Sequence, residues 1–280
     1  MIPTPLKLRD PGGVVGQIVA RKHADLATRR RDGLFAAAKA ALAHAPTVRD
    51  FAAALRGPGV ALIAEVKPRS PSRGDLLAGR DPVALARIYD GRAAAISVLC
   101  DGPFFGGDLA LLRRIRAVTS LPLLCKDFII DPDQLVEARA AGADAALLMA
   151  SLLPPHSLGL MLARAAELGL GALVEVHDSA ELDEVLASSA SVIGINSRDL
   201  RTLDVDLGRI EALAKRVPPH RLRVGESGVS STADVARLCD QVDALLIGSA
   251  VAGATDPGAR LTDLGWPQGA AGRWQGAPCG

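Results

Sequence analysis

The chain's 280 residues include 32 Lys+Arg and 31 Asp+Glu, a formal net charge of +1, and are 49% apolar but only 3% aromatic. That apolar share suffices for a core and excludes a disordered chain, and near-neutrality leaves no global field to hold nucleic acid or an anionic membrane. Four cysteines (Cys100, Cys125, Cys239, Cys279) show no C-x-x-C pair or metal-ligand spacing, so they read as reduced thiols and argue against a zinc site.

From the start of the chain, MIPTPLKLRDPGG holds no apolar h-region and reads as no secretory signal. Residues 1–55 read as a helical extension; within Val19–Ala43 the run Arg29-Arg30-Arg31 is expected to be a solvated helix face. Eight short apolar runs then follow: Val60–Val66, Ala94–Leu99, Leu121–Cys125, Ala143–Met149, Gly171–Val176, Ser191–Ile195, Arg221–Val224 and Asp243–Ile247. Their starts lie roughly 20 to 35 residues apart, the interval of a βα unit and too long for a hairpin. The runs are almost continuously apolar, as parallel strands covered on both faces must be.

The stretches between them carry helix-start chemistry. Asp81-Pro82, Asp131-Pro132 and Asp256-Pro257 each put a capping carboxylate before a proline, and Asp178-Ser-Ala-Glu181 fits a capping box. Leu111, Ile115 and Val118 give one apolar helix face. The expected fold is therefore α/β, a single (β/α)8 barrel over 56–264, with the extension before it and a flexible Gly/Pro/Ala-rich tail over 265–280; an open doubly wound sheet is the alternative. Ala145–Leu153, the most apolar stretch, is too short to cross ~30 Å of hydrocarbon, so a soluble, cytoplasmic protein is expected.

In such a barrel the active site lies where the strands end. Glu65 and Lys67 share a face of strand one by the period of two, Lys126 follows strand three, Glu175 closes strand five, Asn196 and Arg198 follow strand six, and Glu226-Ser227-Gly228 follows strand seven. So many charges on different strands are costly to desolvate unless they pair and work. Asp101, Asp127 and Asp199 read instead as helix caps or loop charges. The turns Ser227-Gly228 and Gly248-Ser249 occupy the two loops where barrels commonly seat phosphate, which favours a phosphorylated small-molecule substrate. The Gly102–Gly107 loop with Phe104 and Phe105 reads equally as an aromatic-ligand wall or a small satellite core, and Pro68–Gly74 as a lid or a simple turn cluster.

The segments IAEVKPRSPSRG, AISVLCDGPFFGGDL, LPLLCKDFIID, LVEV, GINSRDL, GESGVS and LLIGSAV, in this order from about Ile18 to Asp263, resemble the indole-3-glycerol-phosphate synthase family. The resemblance implies a carboxy-lyase of tryptophan biosynthesis. Such an enzyme closes 1-(2-carboxyphenylamino)-1-deoxyribulose 5-phosphate to indole-3-glycerol phosphate with loss of CO2 and water, without metal or organic cofactor. It implies Lys126 as general acid on the ribulose carbonyl oxygen and Glu175 as stabiliser of the anilino cation or as base. Lys67, paired with Glu65, would assist dehydration near the phosphate; Asn196 would orient hydroxyls and Ser227 complete the set. Ser227, Gly228, Gly248 and Ser249 match phosphate contacts, and Ser70 and Phe105 match positions around the anthranilate ring, with Arg198 and Glu226 also on the substrate. Two departures stand out: Cys100 where the family usually has Thr, and IGSAVAGATDP in the last unit.

Two rivals remain from the residues. One is another phosphate-binding barrel enzyme, a Schiff-base aldolase using a Lys126 of lowered pKa or a sugar-phosphate isomerase. The other is a non-catalytic barrel that binds a phosphometabolite. Nucleic-acid and membrane partners are not expected, and the protein is expected to be a monomer or weak homo-oligomer.

Overall fold

The computed structural model describes residues 6–70, 74–199 and 202–276. Pro71, Ser72 and Arg73 of the loop after strand one, Leu200, Cys279 and the first five residues lie outside that range. Each of the eight apolar runs forms a strand: β1 (Ala61–Val66), β2 (Ala95–Leu99), β3 (Leu123–Lys126), β4 (Ala145–Met149), β5 (Gly171–Val176), β6 (Val192–Asn196), β7 (Leu222–Glu226) and β8 (Ala244–Ile247). Each pairs in parallel with its sequence neighbours, and β1 pairs with both β2 and β8, so the sheet closes into a barrel. That closure rules out the open-sheet alternative. Every residue of β1, β2, β4, β6 and β8 is buried, as continuous apolar runs require when side chains fill the barrel on one face and meet helices on the other.

The helices between strands begin where capping chemistry puts them. Asp81, Asp131 and Asp256 accept backbone N–H bonds from Val83, Asp133 and Ala259, each with proline at the first helical position. Register then fixes the rim. Lys126 lies opposite Leu99, Glu175 opposite Met149 and Gly194, and Asn196 opposite Glu226, so polar residues from several strands reach one layer.

At the other end, Arg116 Nη1 meets Asp144 Oδ2 at 2.7 Å, and the same oxygen accepts the Leu123 N–H at 2.7 Å while Oδ1 accepts that of Arg49 at 2.8 Å. The fraying expected of the Gly/Pro/Ala-rich end does not extend to its described part. Trp266 is fully buried, the Leu62 N–H donates to Gly272 O, the Trp274 N–H to Val60 O, and Arg273 donates to the carbonyls of Ala54 and Leu55. Two tryptophans and a guanidinium outweigh the turn-rich composition, because they find apolar surface and helix-end carbonyls under the barrel.

Before the barrel, α1 (Gly13–Arg31) and α2 (Leu34–Ala41) precede a short helix Phe51–Leu55. The charge run is not simply a solvated face. Arg29 pairs with Glu137 at 2.7 Å and Arg30 with Asp131 at 2.9 Å and Asp133 at 3.2 Å, so two of the three arginines tie α1 to the helix after β3. Deeper in, Lys22 Nζ lies 2.7 Å from Asp127 and 3.2 Å from Asp101, all three side chains buried. Asp127 is thus half of a buried ion pair rather than a cap, whereas Asp101 both caps (Phe104 N–H, 3.1 Å) and pairs. Cys100 and Cys125 are free and buried, and Cys279 lies outside the described residues.

Candidate active site

The strand ends open into a cavity of about 1040 Å³. Its lining includes Glu65, Lys67, Lys126, Glu175, Asn196, Arg198, Glu226, Ser227, Gly228, Gly248, Ser249 and Phe105, so all but one of the expected site residues meet here. The exception is Ser70, buried in a two-residue hairpin (Arg69–Ser70 with Gly74–Asp75) and not among the lining residues.

Lys126 reaches across the mouth from β3. Its Nζ sits 2.8 Å from Glu226 Oε2 and 3.2 Å from Glu175 Oε2. Burial works against its charge, yet Glu226, Glu175 and Glu65 together outweigh it and hold the ammonium above the ordinary lysine range. This is the reverse of what an imine-forming lysine needs, and it counts against the Schiff-base reading. The two glutamates part company. Burial pushes Glu175 up, but Lys126 and then His177 more than reverse it and keep this carboxyl well below its usual range. For Glu226 burial prevails over Lys126, and the neighbouring Glu175 charge adds to it. One carboxylate is held ionised and the other inclined to keep a proton, the division that acid–base chemistry uses.

Beside them Lys67 Nζ and Glu65 Oε1 form a second pair at 2.5 Å, as the period of two requires. Both buried carboxylates depend on missing side chains: a Cβ at Gly194 would overlap Glu226 Oε1, and one at Gly248 would overlap Glu65 Oε1. Asn196 Oδ1 accepts the Arg198 N–H at 3.0 Å, and the Arg198 guanidinium donates to Leu203 O at 2.6 Å.

After β7 the backbone turns left-handed twice in succession, Ser227 at φ 66° and Gly228 at φ 82°. A serine in that region costs about 1 kcal/mol or more and persists where the surroundings over-determine it, a pattern that gathers at ligand sites. Successive turned amides of this kind make an anion-binding concavity. The Gly248-Ser249 turn adds the start of the helix Ser249–Ala252. On another side, Phe105 and Phe128 line the cavity with ring centroids 6.1 Å apart, while Phe104 is not among the lining residues. Phe105 therefore both faces the cavity, as a wall would, and packs on a second ring, as a satellite core would.

Four residues near the site are not singled out by the sequence: Lys22, Phe128, His177 and Arg260. Phe128 and Arg260 line the cavity. His177 stands behind Glu175, its Nε2 3.2 Å from Glu175 Oε1, and the period of two from Glu175 is the signal that points to it.

The pattern of the family described as indole-3-glycerol phosphate synthase matches residues 15–264. Indole-3-glycerol phosphate synthase 2 of Streptomyces coelicolor is 46% identical over 256 residues, covering 90% of this chain and 98% of its own. Indole-3-glycerol phosphate synthase of Mycobacteroides abscessus is 45% identical over 255 residues, covering 90% and 94%. Among solved structures, a thiamine phosphate pyrophosphorylase from Pyrococcus furiosus superposes with a TM-score of 0.56 at 19% identity, over 73% of this chain and 93% of that one, a likeness of fold alone.

Proposed function

The chain belongs to the indole-3-glycerol phosphate synthase family, and from that premise we propose how its barrel mouth performs the family's reaction. The activity is that of a carboxy-lyase in tryptophan biosynthesis. It closes the pyrrole ring of 1-(2-carboxyphenylamino)-1-deoxyribulose 5-phosphate and releases CO2 and water to give indole-3-glycerol phosphate.

Attack of the aromatic carbon on the ketone builds negative charge on oxygen and positive charge on the anilino nitrogen. Lys126, kept as an ammonium by Glu226 and Glu175, supplies the proton and the field for the oxygen where water is sparse. Glu175, ionised at the same spot, offsets the charge on nitrogen until CO2 leaves, and is placed to take a proton in the dehydration. The new hydroxyl departs with a proton, for which Lys67, held by Glu65, is the second donor. Glu226 keeps Lys126 aimed into the cavity. Asn196 and Arg198 orient the sugar hydroxyls, Phe105 with Phe128 walls the anthranilate ring, and Ser227, Gly228, Gly248 and Ser249 cradle the phosphate.

The observation that carries this assignment is a single ammonium shared by two carboxylates of opposite protonation tendency, facing an anion cradle across one cavity. The same reading treats residues 1–55 as an extension docked on a barrel of 56–264. It also makes the enzyme a cytoplasmic monomer or weak homo-oligomer; among the described residues no helix is long and apolar enough to cross a membrane. Product fluorescence with the carboxyphenylamino substrate tests the roles: Glu175→Gln lowers turnover by ~10²-fold or more, the scale of a positioned acid–base group. Near-normal turnover of that variant would remove Glu175 from the chemistry.

A further inference from the structure

Glu175 has two oxygens and each has a distinct partner. Oε2 faces Lys126 at 3.2 Å, and Oε1 faces His177 Nε2 at 3.2 Å. The imidazole is itself fixed from behind. Its Nδ1 lies 3.2 Å from Glu181 Oε2, and the His177 backbone N–H donates to that same oxygen at 2.7 Å. Glu181 is the residue whose spacing from Asp178 predicts a capping box. Half of that box forms, since Asp178 accepts the Glu181 N–H at 2.9 Å, but the Glu181 carboxylate turns to His177. A group that local chemistry would spend on a helix start is aimed at the back of the active site.

We propose that His177 is a positioning residue: clamped by Glu181, it holds the far oxygen of Glu175 so that the near oxygen stays on Lys126. The inference rests on the role given to Glu175 above. His177 does not line the large cavity; it lines a separate one of about 520 Å³ with Glu181, Asp178, Asp199 and Arg209, so it acts through Glu175 rather than on substrate. Both ring nitrogens face carboxylates, which calls for a proton on each. Burial opposes that charge, but Glu175 and Glu181 push His177 up to about 10, so the imidazolium persists at neutral pH. The other charged groups facing the pair are Lys126 from β3 and Glu226 from β7. Nε2 sits at ion-pair distance from Oε1 without hydrogen-bond geometry, so its hold on that oxygen is the attraction of a fixed positive charge, and a proton-transfer group a fraction of an ångström out of place loses much of its effect.

The test is a double-mutant cycle on turnover, run with the full chain and the carboxyphenylamino substrate. His177→Ala is expected to lower kcat about tenfold, a modest part of the ~10²–10⁴ that an acid–base group supplies, with KM changed less than threefold. In a Glu175→Gln background the same substitution is expected to cost no more than about twofold, because its target is gone. A merely structural histidine would cost the same in both backgrounds, and that result overturns the proposal. So does a His177→Ala enzyme with kcat within twofold of the parent. If Glu175→Gln itself leaves turnover intact, the role of Glu175 falls and His177 falls with it; if Glu175→Gln is crippled and His177→Ala is not, only the present inference fails. Should His177→Ala not fold, Glu181→Gln, which leaves an amide oxygen facing Nδ1, is expected to lower kcat about threefold at unchanged KM, and an unchanged kcat there refutes the clamp.

Discussion

The two ends of this barrel both bury charge, and they use it differently. At the floor, Asp144 accepts two backbone N–H bonds in addition to the Arg116 guanidinium, and Arg116 also donates to the carbonyls of Thr119 and Leu121. At the mouth, one Lys126 serves two carboxylates, and among the described residues Glu226 Oε1 receives no hydrogen bond. Among those residues each end leaves a buried polar atom without a hydrogen bond, Arg116 Nε at the floor and Glu226 Oε1 at the mouth, but the floor's charges hold strands and loops together whereas the mouth's face a cavity. A buried ion pair by itself therefore says little about function; an unequal one beside a cavity says much more.

The sharpest way to break this comparison is to remove the central charge of each end. Lys126→Ala is expected to lower turnover by ~10²-fold or more in the product-fluorescence assay while shifting the unfolding midpoint little, since the two carboxylates can share a proton. Asp144→Ala is expected to do the opposite. It strands the Arg116 guanidinium and two backbone donors, a loss of about 3 kcal/mol or more read by denaturant unfolding, with turnover of the folded enzyme kept within about twofold. If the Lys126 variant lost stability and the Asp144 variant lost turnover, the division of labour between floor and mouth would be wrong.

A third change tests whether the mouth seats an anion at one of its turns. Ser249→Asp puts a negative charge at the Gly248-Ser249 turn, on a side chain that is only partly buried. Like charge within a few ångströms of the substrate's phosphate is expected to raise KM about tenfold or more while kcat falls less than threefold, since the phosphate is remote from the reacting atoms. An unmoved KM would take the phosphate away from this turn.

Much of this asymmetry is legible in the sequence. Strand-end positions on separate βα units identify Lys126, Glu175, Asn196 and Glu226, because barrel topology alone carries them to one rim. Glu65 and Lys67 need only the period of two. What escapes has one of two causes. Lys22 and Asp127 are 105 residues apart and meet only through the docking of α1, which no local pattern encodes. Glu181 has a sufficient local explanation as a helix cap, and that explanation hides its tertiary role and His177 with it. The C-terminal segment shows the same competition: its glycines and prolines argue for freedom, while Trp266 and Trp274, two of the chain's few aromatic residues, argue for anchorage and prevail.

The smallest expected effect separates the ends by pH rather than by mutation. His177 ionises near 6.5 in an unfolded chain and about 10 here, so its stabilisation is complete below pH 6.5 and is lost as pH rises through 10. Glu226, raised above its ordinary value, has the same sign, and what it contributes is already declining by neutral pH. Glu175, depressed, works the other way, with stabilisation present at neutral pH and lost only on acidification. The floor cluster described above is built on an arginine and an aspartate, with no histidine in it. Raising the pH from 7 to 9 is therefore expected to lower Tm by several degrees, because over that interval the folded chain keeps the His177 proton and the unfolded chain does not. His177→Gln, which cannot carry the charge, is expected to flatten that slope, whereas Asp144→Ala lowers Tm at both pH values and leaves the slope as it was. A slope that survives in His177→Gln would mean the alkaline loss arises elsewhere than at the mouth.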